Sequence, residues 1–233
     1  MPKIGIHVHG RHMQAKEWES LMMGTGGRLG TLPRLVLEIL KRGPENIGLI
    51  TIGTGASKRD GTVESICMRN HLFENLTSIL DIPVIKDHPR IKTEEDILTV
   101  SALLIQKVFC DTITKNTAEE IRSAAKLFDE VGCTEIYHVS CASHSPRCHL
   151  ATLIAKEEGV IPADQTWYPV ADQMTYAGTK IGDTVVLEKP HRGDDPTMGA
   201  DVSVPEVVRG LLTLKPDERL DCLRQLKEII NSY

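Results

Sequence analysis

Hydrophobic residues recur along the chain with two different periods, and the shorter period predicts strands. Ile4, Ile6 and Val8 alternate with small or polar residues, which is typical of a strand with two different faces. The run "NIGLITIGTG" at 46–55 is apolar on both faces, as a central strand of a parallel sheet is. Further short apolar runs predict strands at 109–113, 134–141, 166–170 and 183–190.

Longer segments have apolar residues three or four positions apart and predict helices. In "TLPRLVLEILKRG", Pro33 lies near the first turn and Gly43 follows the last turn. In the segment 114–132, Thr117 and Glu120 have the spacing of a capping box, and an apolar stripe follows them. The other predicted helices run through 63–72 and 94–108, follow caps at Ser145 and Ser203, and close the chain at 217–230.

The repeated order of strand, short loop and helix predicts an α/β fold, in which helices cover both faces of a parallel sheet. We find no internal repeat, low-complexity tract or linker in the sequence. We therefore expect a single domain over residues 1–233, with 203–233 as a C-terminal helical extension packed on it. The closing amphipathic helix packs either on this core or on a second subunit, which leaves a homodimer open.

Composition narrows the class of protein. The 27 Lys and Arg against 32 Asp and Glu leave a net charge of −5, and neither sign forms a block, which argues against nucleic acid or a membrane surface as partner. The six cysteines contain no Cys-x-x-Cys pair, as is usual for reduced cytosolic thiols. The N-terminus resembles neither a signal peptide nor an anchor, so we expect a cytoplasmic protein.

Polar clusters follow the predicted strands, in the five loops 7–28, 53–61, 114–117, 140–147 and 188–195. In an open parallel sheet the carboxyl ends of the strands share one edge, where ligands bind. The N-termini of the following helices favour an anion such as phosphate or carboxylate there. The glycines of "GTGGRLG" and "GTGAS" do not form a dinucleotide fingerprint, because neither gives G-x-G-x-x-G between the first strand and its helix.

The stretch "HVHGRH" raises the possibility of a metal site. His7 and His9 share one face of the first strand, and His12 follows in the loop. A cation also needs a well-placed carboxylate or thiolate, and this loop offers only Glu17 and Glu19. We therefore predict no metal and interpret His7 and His9 as one wall of a cleft for an organic ligand. A metal-dependent hydrolase stays an alternative.

A second cluster holds Cys141, His144, Cys148 and His149. Cys148 and His149 already lie within the predicted helix, so we expect Cys148 to pack in the interior. Cys141 stays an alternative nucleophile, activated by His144 and by the start of a helix, although no third residue that would orient the pair is identifiable.

The order of the motifs "GRLG", "GTGAS" with "DGTVES", "NTAEE", "VSCASHSPRC" and "PHRGDDP" resembles the YdcF-like family, whose anchored relatives are the SanA and ElyC envelope proteins. The resemblance runs from about residue 4 to about residue 208. It implies a Rossmann-like domain and a nucleotide-like or phosphate-bearing ligand, with S-adenosylmethionine as one possibility. This chain departs from the anchored relatives in lacking an N-terminal span, and from the S-adenosylmethionine-associated member in its N-terminal loop.

The resemblance also implies site residues. Cofactor or substrate contacts fall on Gly27, Arg28, Gly53, Gly55, Glu64, Asn116, Thr117, Glu120, His144 and Arg147, and the late motif of one soluble subgroup adds His191 and Arg192. Arg147, near the start of a helix, is placed to hold an anion, and His144 to exchange a proton near neutral pH. Glu64 is a candidate base or ribose ligand, or it only favours the helix dipole. His144, Glu64 and His9 are the candidate catalytic residues.

These observations favour an enzyme, a transferase or hydrolase acting on a small anionic or nucleotide-like molecule. A non-catalytic sensor with the same pocket and the metal-dependent hydrolase are the alternatives.

Overall fold

The computed structural model describes residues 3–10, 13, 18–142 and 144–174, together with Arg224. The chain divides into two units, residues 1–178 and 179–233, and every element named below belongs to the first. The predicted strand at 183–190 and the helix after Ser203 lie outside the described residues, as does the helix at 217–230 apart from Arg224. The extension at 203–233 and its packing therefore stay predictions.

Five parallel strands form the main sheet, in the spatial order β5-β2-β1-β6-β7. The strands are β1 (Lys3–Val8), β2 (Ile47–Ile52), β5 (Val108–Cys110), β6 (Cys133–Ser140) and β7 (Thr166–Ala171), and a separate hairpin pairs β3 (Lys58–Arg59) with β4 (Thr62–Val63). The central strand β1 pairs with β2 on one side and with β6 on the other. The chain builds the sheet first in one direction and then in the other, so β1 and β6 flank the topological switch point.

Eight α-helices and one 3-10 helix (Pro44–Asn46) accompany these strands in the described residues. They are α1 (Trp18–Met23), α2 (Thr31–Arg42), α3 (Glu64–Glu74), α4 (Leu76–Leu80), α5 (Pro83–Lys86), α6 (Glu94–Lys107), α7 (Thr117–Glu130) and α8 (Ser145–Glu157). None of the described helices is both long and apolar enough to cross a lipid bilayer.

The alternation along β1 assigns its residues to the two faces of the sheet. Ile4, Ile6 and Val8 lie in the buried cluster that also contains the apolar residues of α2. On the opposite face, a side chain at Gly5 would overlap the Phe128 ring of α7, so that helix packs closely here. Helices therefore cover both faces, and the prediction of a Rossmann-like α/β fold is confirmed.

The loop after β7 is joined to the rest of the carboxyl edge by hydrogen bonds. The buried Asp172 carboxylate accepts hydrogen bonds from Thr31 Oγ1 (2.7 Å) and from the backbone nitrogen of Ala142 (3.2 Å). Gln173 accepts one from the backbone nitrogen of Leu29 (2.9 Å). These contacts connect the start of α2, the loop after β6 and the end of β7 at one edge of the sheet.

Two predicted helix caps are wrong in detail. The side chain of Asn116 accepts a hydrogen bond from the backbone nitrogen of Glu119 (2.9 Å), and Thr117 is the first residue of α7. Glu120 makes no capping contact and points into the interior. The cap position of α8 belongs to His144, and Ser145 is its first helical residue.

Candidate functional site

Three histidines lie side by side where β1 and β6 end. His7 of β1 and His138 of β6 occupy paired positions on adjacent strands. His9 follows β1, and its backbone nitrogen donates to the carbonyl of Val139 (2.9 Å), which continues the alignment past the strand. All three histidine side chains are buried, on the face of the sheet that α7 and α8 cover.

Glu120 reaches the same point from α7. Its Oε1 lies 3.2 Å from His7 Nε2 and 3.4 Å from His9 Nδ1. The backbone nitrogen of Gly10 donates to that oxygen at 3.4 Å. The carboxylate lies against the backbone of Gly53, so a Cβ atom added at Gly53 would overlap it. We call His7, His9, Glu120 and His138 the histidine–glutamate cluster; the side chains of all four are nearly inaccessible to solvent.

The second ring nitrogen of His7 and that of His9 are held by neighbours. His7 Nδ1 lies 2.8 Å from Thr51 Oγ1, and His9 Nε2 lies 3.2 Å from His138 Nδ1. These contacts fix the two imidazole planes, which stand nearly perpendicular at 81° with centroids 4.4 Å apart. Both rings therefore present their other nitrogen towards Glu120 in a defined orientation.

Those two inward nitrogens make no hydrogen bond to the described residues. His7 Nε2 and His9 Nδ1 are close to Glu120 Oε1 but are not aligned to donate to it. The three atoms lie within 4.8 Å of one another. They surround one common point without completing hydrogen bonds among themselves.

Burial determines the electrostatics of the cluster. Desolvation, with the charge of His7 as a further cause, lowers the pKa of His9, and desolvation with the charge of His9 lowers the pKa of His138 to about 2. Burial on its own raises the pKa of Glu120, but the proximity of His9 and His7 outweighs burial and holds this pKa well below its usual range. His9 and His138 are therefore neutral imidazoles at neutral pH, and Glu120 is a carboxylate.

The start of α8 forms the outer wall of the cluster. The His144 ring lies 6.1 Å from the His9 ring, and the His149 ring stacks on His138 with centroids 5.7 Å apart. His144 and Arg147 are half-buried, whereas the cluster is buried. The charge of Arg147 is one of the causes that lower the pKa of His9. The predicted pair His144 and Arg147 therefore does adjoin His9.

Glu64 lies on the other side of the first loop. Its buried carboxylate, on the first residue of α3, accepts a hydrogen bond from Ser57 Oγ. A Cβ atom at Gly10 would lie 2.8 Å from Glu64 Oε1, so this loop residue separates Glu64 from Glu120. The structure thus places Glu64 beside the cluster but on the α3 side of the sheet.

The predicted glycine and loop contacts are dispersed. Gly27 and Arg28 lie in an exposed turn before α2, where Gly27 has a φ of 78°. Gly53 provides room for Glu120, and a Cβ at Gly55 would overlap the backbone oxygen of Thr112. Each of the last two glycines thus accommodates a protein group, and their contact with a ligand stays a prediction.

The remaining predicted contacts fall into two groups. Asn116 caps α7 and Thr117 is buried at its first residue, one turn before Glu120. His191 and Arg192 lie outside the described residues, as does His12. Cys148 is buried, donates weakly to Ser140 Oγ (3.7 Å) and has a raised pKa because of that burial, so its predicted packing role is confirmed.

The resemblance implies a ligand contact for Glu120, but Glu120 was not predicted as a partner of the histidines, because the metal hypothesis took its carboxylates from the N-terminal loop alone. A signal was present in α7. The apolar stripe through Ile121, Ala124 and Phe128 also contains Glu120, at a helix position that faces the core. A charged residue on a buried stripe needs a partner, which indicates a polar cluster beneath the helix.

A surface groove elsewhere in the molecule has different properties. It has a volume of about 630 Å³ and lies between the 3-10 helix and α6, lined by Glu45, Arg90, Lys92 and Asp96 among others. It adjoins the start of β2, at the amino edge of the sheet, and none of its lining residues is a histidine. Ligands of parallel sheets bind at the opposite edge, so we place the candidate site at the histidine–glutamate cluster.

Comparison of the chain with protein-family models, with curated proteins and with solved structures finds no match.

Proposed function

We propose that this protein is an enzyme that acts on a small anionic molecule at the carboxyl edge of its sheet, with the histidine–glutamate cluster as its chemical centre. The observation that carries the proposal is the convergence of His7, His9, Glu120 and His138 at the switch point, almost completely buried. Burying ionisable groups costs folding free energy. Clusters of this kind, with strongly shifted pKa values, are typical of functional sites.

The outer wall supports the anionic class of substrate. Arg147 lies in the first turn of α8, a helix of 13 residues whose N-terminus is directed at this edge of the sheet. Backbone N–H groups and a guanidinium together favour a phosphate or carboxylate group. An anion held here lies beside His144, and His144 lies next to His9.

The chemistry we propose is hydrolysis or group transfer assisted by proton exchange. At neutral pH His9 is a neutral imidazole that offers a lone pair, and Glu120 stays an ionised carboxylate. His144 is half-buried at the cleft and is the residue best placed to exchange a proton with bound substrate. Glu64 accepts a hydrogen bond from Ser57. We therefore propose that Glu64 holds the loop of Ser57 in position and does not transfer a proton.

The identity of the ligand stays a prediction. The motifs that resemble the YdcF-like family favour a nucleotide-like molecule, and S-adenosylmethionine is one candidate. Arg147 and the N-terminus of α8 require only that the ligand carries a negatively charged group.

The test is a binding and turnover screen of the purified chain. Calorimetric titration with S-adenosylmethionine, nucleoside phosphates and sugar phosphates finds the ligand class, and mass spectrometry of the incubated mixtures finds the product. We expect Arg147→Gln to weaken binding about tenfold or more, because it removes a charge-assisted contact. Arg122→Gln is the matched control, since Arg122 lies on α7 and pairs with Glu158 at the surface.

Turnover separates the enzyme from a binding module. We expect Glu120→Gln to keep ligand affinity within a few-fold and to lose product formation. A ligand that binds through Arg147 and is recovered unchanged after long incubation would instead show a sensor. Absence of any binding from the whole panel would contradict the proposal.

A further inference from the structure

We propose that His7, His9 and Glu120 bind one divalent first-row transition-metal ion, through His7 Nε2, His9 Nδ1 and a carboxylate oxygen of Glu120. The inference rests on the proposed function, because it takes the same cluster as the chemical centre. It adds the group that would activate a substrate or a water molecule there. The sequence predicted no metal, since the loop carboxylates Glu17 and Glu19 were the only ones considered as partners.

The two distances from Glu120 Oε1 fit a single ion, and all three candidate ligand atoms lie within 4.8 Å of one another. Ligand atoms about 2.1 Å from a common metal, at tetrahedral or octahedral angles, lie about 3.0–3.4 Å from one another. Glu120 Oε1 is 3.2 Å from one imidazole nitrogen and 3.4 Å from the other. These distances correspond to ligands that share an ion.

The orientation of the rings supports the same point. The inward nitrogens of His7 and His9 are buried and make no hydrogen bond to the described residues. A buried ring nitrogen without a partner costs free energy, and a metal ion would use both lone pairs at once.

The outer nitrogens have the partners that metal-binding histidines usually have. Thr51 Oγ1 holds His7 Nδ1, and His138 Nδ1 holds His9 Nε2. These contacts fix the ring planes, and when His7 Nδ1 and His9 Nε2 are the donors in them, the inward nitrogens are left as ligands. Thr51 and His138 are thus positioning residues rather than ligands.

Charge balance points the same way. In the described residues, neither Lys nor Arg forms an ion pair with Glu120, and its ion-pair partners are the two histidines. A buried carboxylate without a permanent cation beside it needs compensation, and buried charges are normally paired or bound to a metal. A divalent cation leaves the site with one net positive charge, which favours an anionic substrate.

The donor set indicates the class of metal. Two imidazoles and one carboxylate suit zinc, iron, cobalt, nickel or manganese, and the set contains no thiolate. Three protein ligands leave at least one coordination position for water or substrate, as in catalytic rather than structural zinc sites. His144 and Arg147 lie on the side from which a substrate would approach.

The test measures metal binding directly, without substrate. The full chain is treated with chelator, dialysed and titrated with Zn²⁺ by calorimetry and with Co²⁺ by visible absorption. We expect one ion per chain and a Co²⁺ spectrum typical of nitrogen and oxygen ligands. Glu120→Gln should weaken binding by at least about 100-fold, since it removes a ligand, and loss of a supporting contact alone costs 10–100-fold.

Two further variants keep the result interpretable. Glu38→Gln is the matched control, because Glu38 is also a buried glutamate in a helix but lies against cations, and its Zn²⁺ affinity should equal that of the unmodified chain. Thr51→Val keeps the shape of the threonine and removes the partner of His7, so we expect about tenfold weaker binding from a folded protein.

The two proposals fail in different ways. Sub-stoichiometric Zn²⁺ and Co²⁺ in the unmodified chain, or equal affinity in the Glu120→Gln variant, would overturn the metal site. Neither result decides the anion screen, which is read from the comparison of the purified chain with its Arg147→Gln and Arg122→Gln variants. Conversely, a chain that binds one ion through Glu120 but no anion keeps the metal site and loses the proposed substrate class.

Discussion

Two buried glutamates in this protein have opposite surroundings. Glu38 of α2 is 1% exposed and lies within 3.2 Å of Arg34, 2.9 Å of Lys41 and 3.1 Å of Arg42, all on the same helix. Glu120 of α7 is 2% exposed and faces two histidines and one backbone nitrogen. The chain compensates the first carboxylate with permanent charges and the second with groups whose charge depends on a proton.

The difference separates a carboxylate that stabilises packing from one that we propose to take part in chemistry. Arg42 also lies 3.9 Å above the Tyr137 ring of β6, so the ion pairs of Glu38 attach α2 to the sheet. The partners of Glu120 sit at the switch point, where ligands of this architecture bind. Burial alone does not distinguish the two glutamates; the nature of their partners does.

The largest expected effect comes from Gly53, which tests Glu120 without changing a ligand. Gly53→Ala places a Cβ atom where the Glu120 carboxylate lies, and that flexible end of the side chain must move. We expect Zn²⁺ affinity to fall about 100-fold while the protein remains folded. Gly48→Ala is the control, because its Cβ meets Cys133 Sγ, away from the cluster. Calorimetry on the two variants checks this, and equal affinities would contradict it.

The second effect concerns Glu38. Glu38→Gln removes the negative charge from three ion pairs. The three cations are partly exposed, so hydration by water replaces only part of the lost interaction energy. We expect the free energy of unfolding to fall by about 2 kcal/mol in urea denaturation. Glu45→Gln breaks only the exposed pair with Arg90 and should cost less than about 0.5 kcal/mol. If both variants lost a similar free energy of unfolding, Glu38 would have no special structural role.

The smallest effect is in the pH dependence of the metal-free protein. The folded pKa of His138 is about 2 against an ordinary value of 6.5, so the folded state binds fewer protons than the unfolded state between these values. His138 faces His9, His7, His149 and Glu120. Its share of stability is present above pH 6.5 and is lost as the pH falls below it.

His138→Gln removes this titration and keeps a polar partner for His9. Between pH 7.5 and pH 5.5, we expect the folding equilibrium constant of the unmodified chain to fall by a factor about tenfold larger than that of the variant. Denaturation curves between pH 7.5 and 5.5 in the presence of chelator measure the difference. Parallel losses in the two proteins would show that His138 does not resist protonation in the folded state.

The sheet was largely predictable from the sequence, because alternation and continuous apolar runs report directly on burial. The predicted strands at 4–8, 46–55, 134–141 and 166–170 correspond to β1, β2, β6 and β7 with shifts of a few residues at the ends. The short helix α1 was assigned to a polar loop, since its six residues carry too little periodic signal, although Trp18, Leu21 and Met22 are buried.

The site was predictable only in part. Parallel strand order places His9, His144 and Arg147 at one edge, and this grouping is present in the structure. The partner of the histidines was not predictable from loop composition, because Glu120 reaches them from the middle of the chain through tertiary packing of α7. The capping-box spacing with Thr117 offered a local explanation for the same glutamate, and Asn116 with Glu119 fulfils that role instead.

The placement of His7 within β1 has a kinetic consequence. β1 is paired on both sides, so His7 does not move away from the cluster unless hydrogen bonds of two strand ladders break together. An ion held there leaves only when Glu120 swings out with the first turns of α7, or when the residues after β1 lift His9. The rate at which a chelator extracts the ion thus measures the local opening of these two segments, and the sheet sets the upper limit on its residence time.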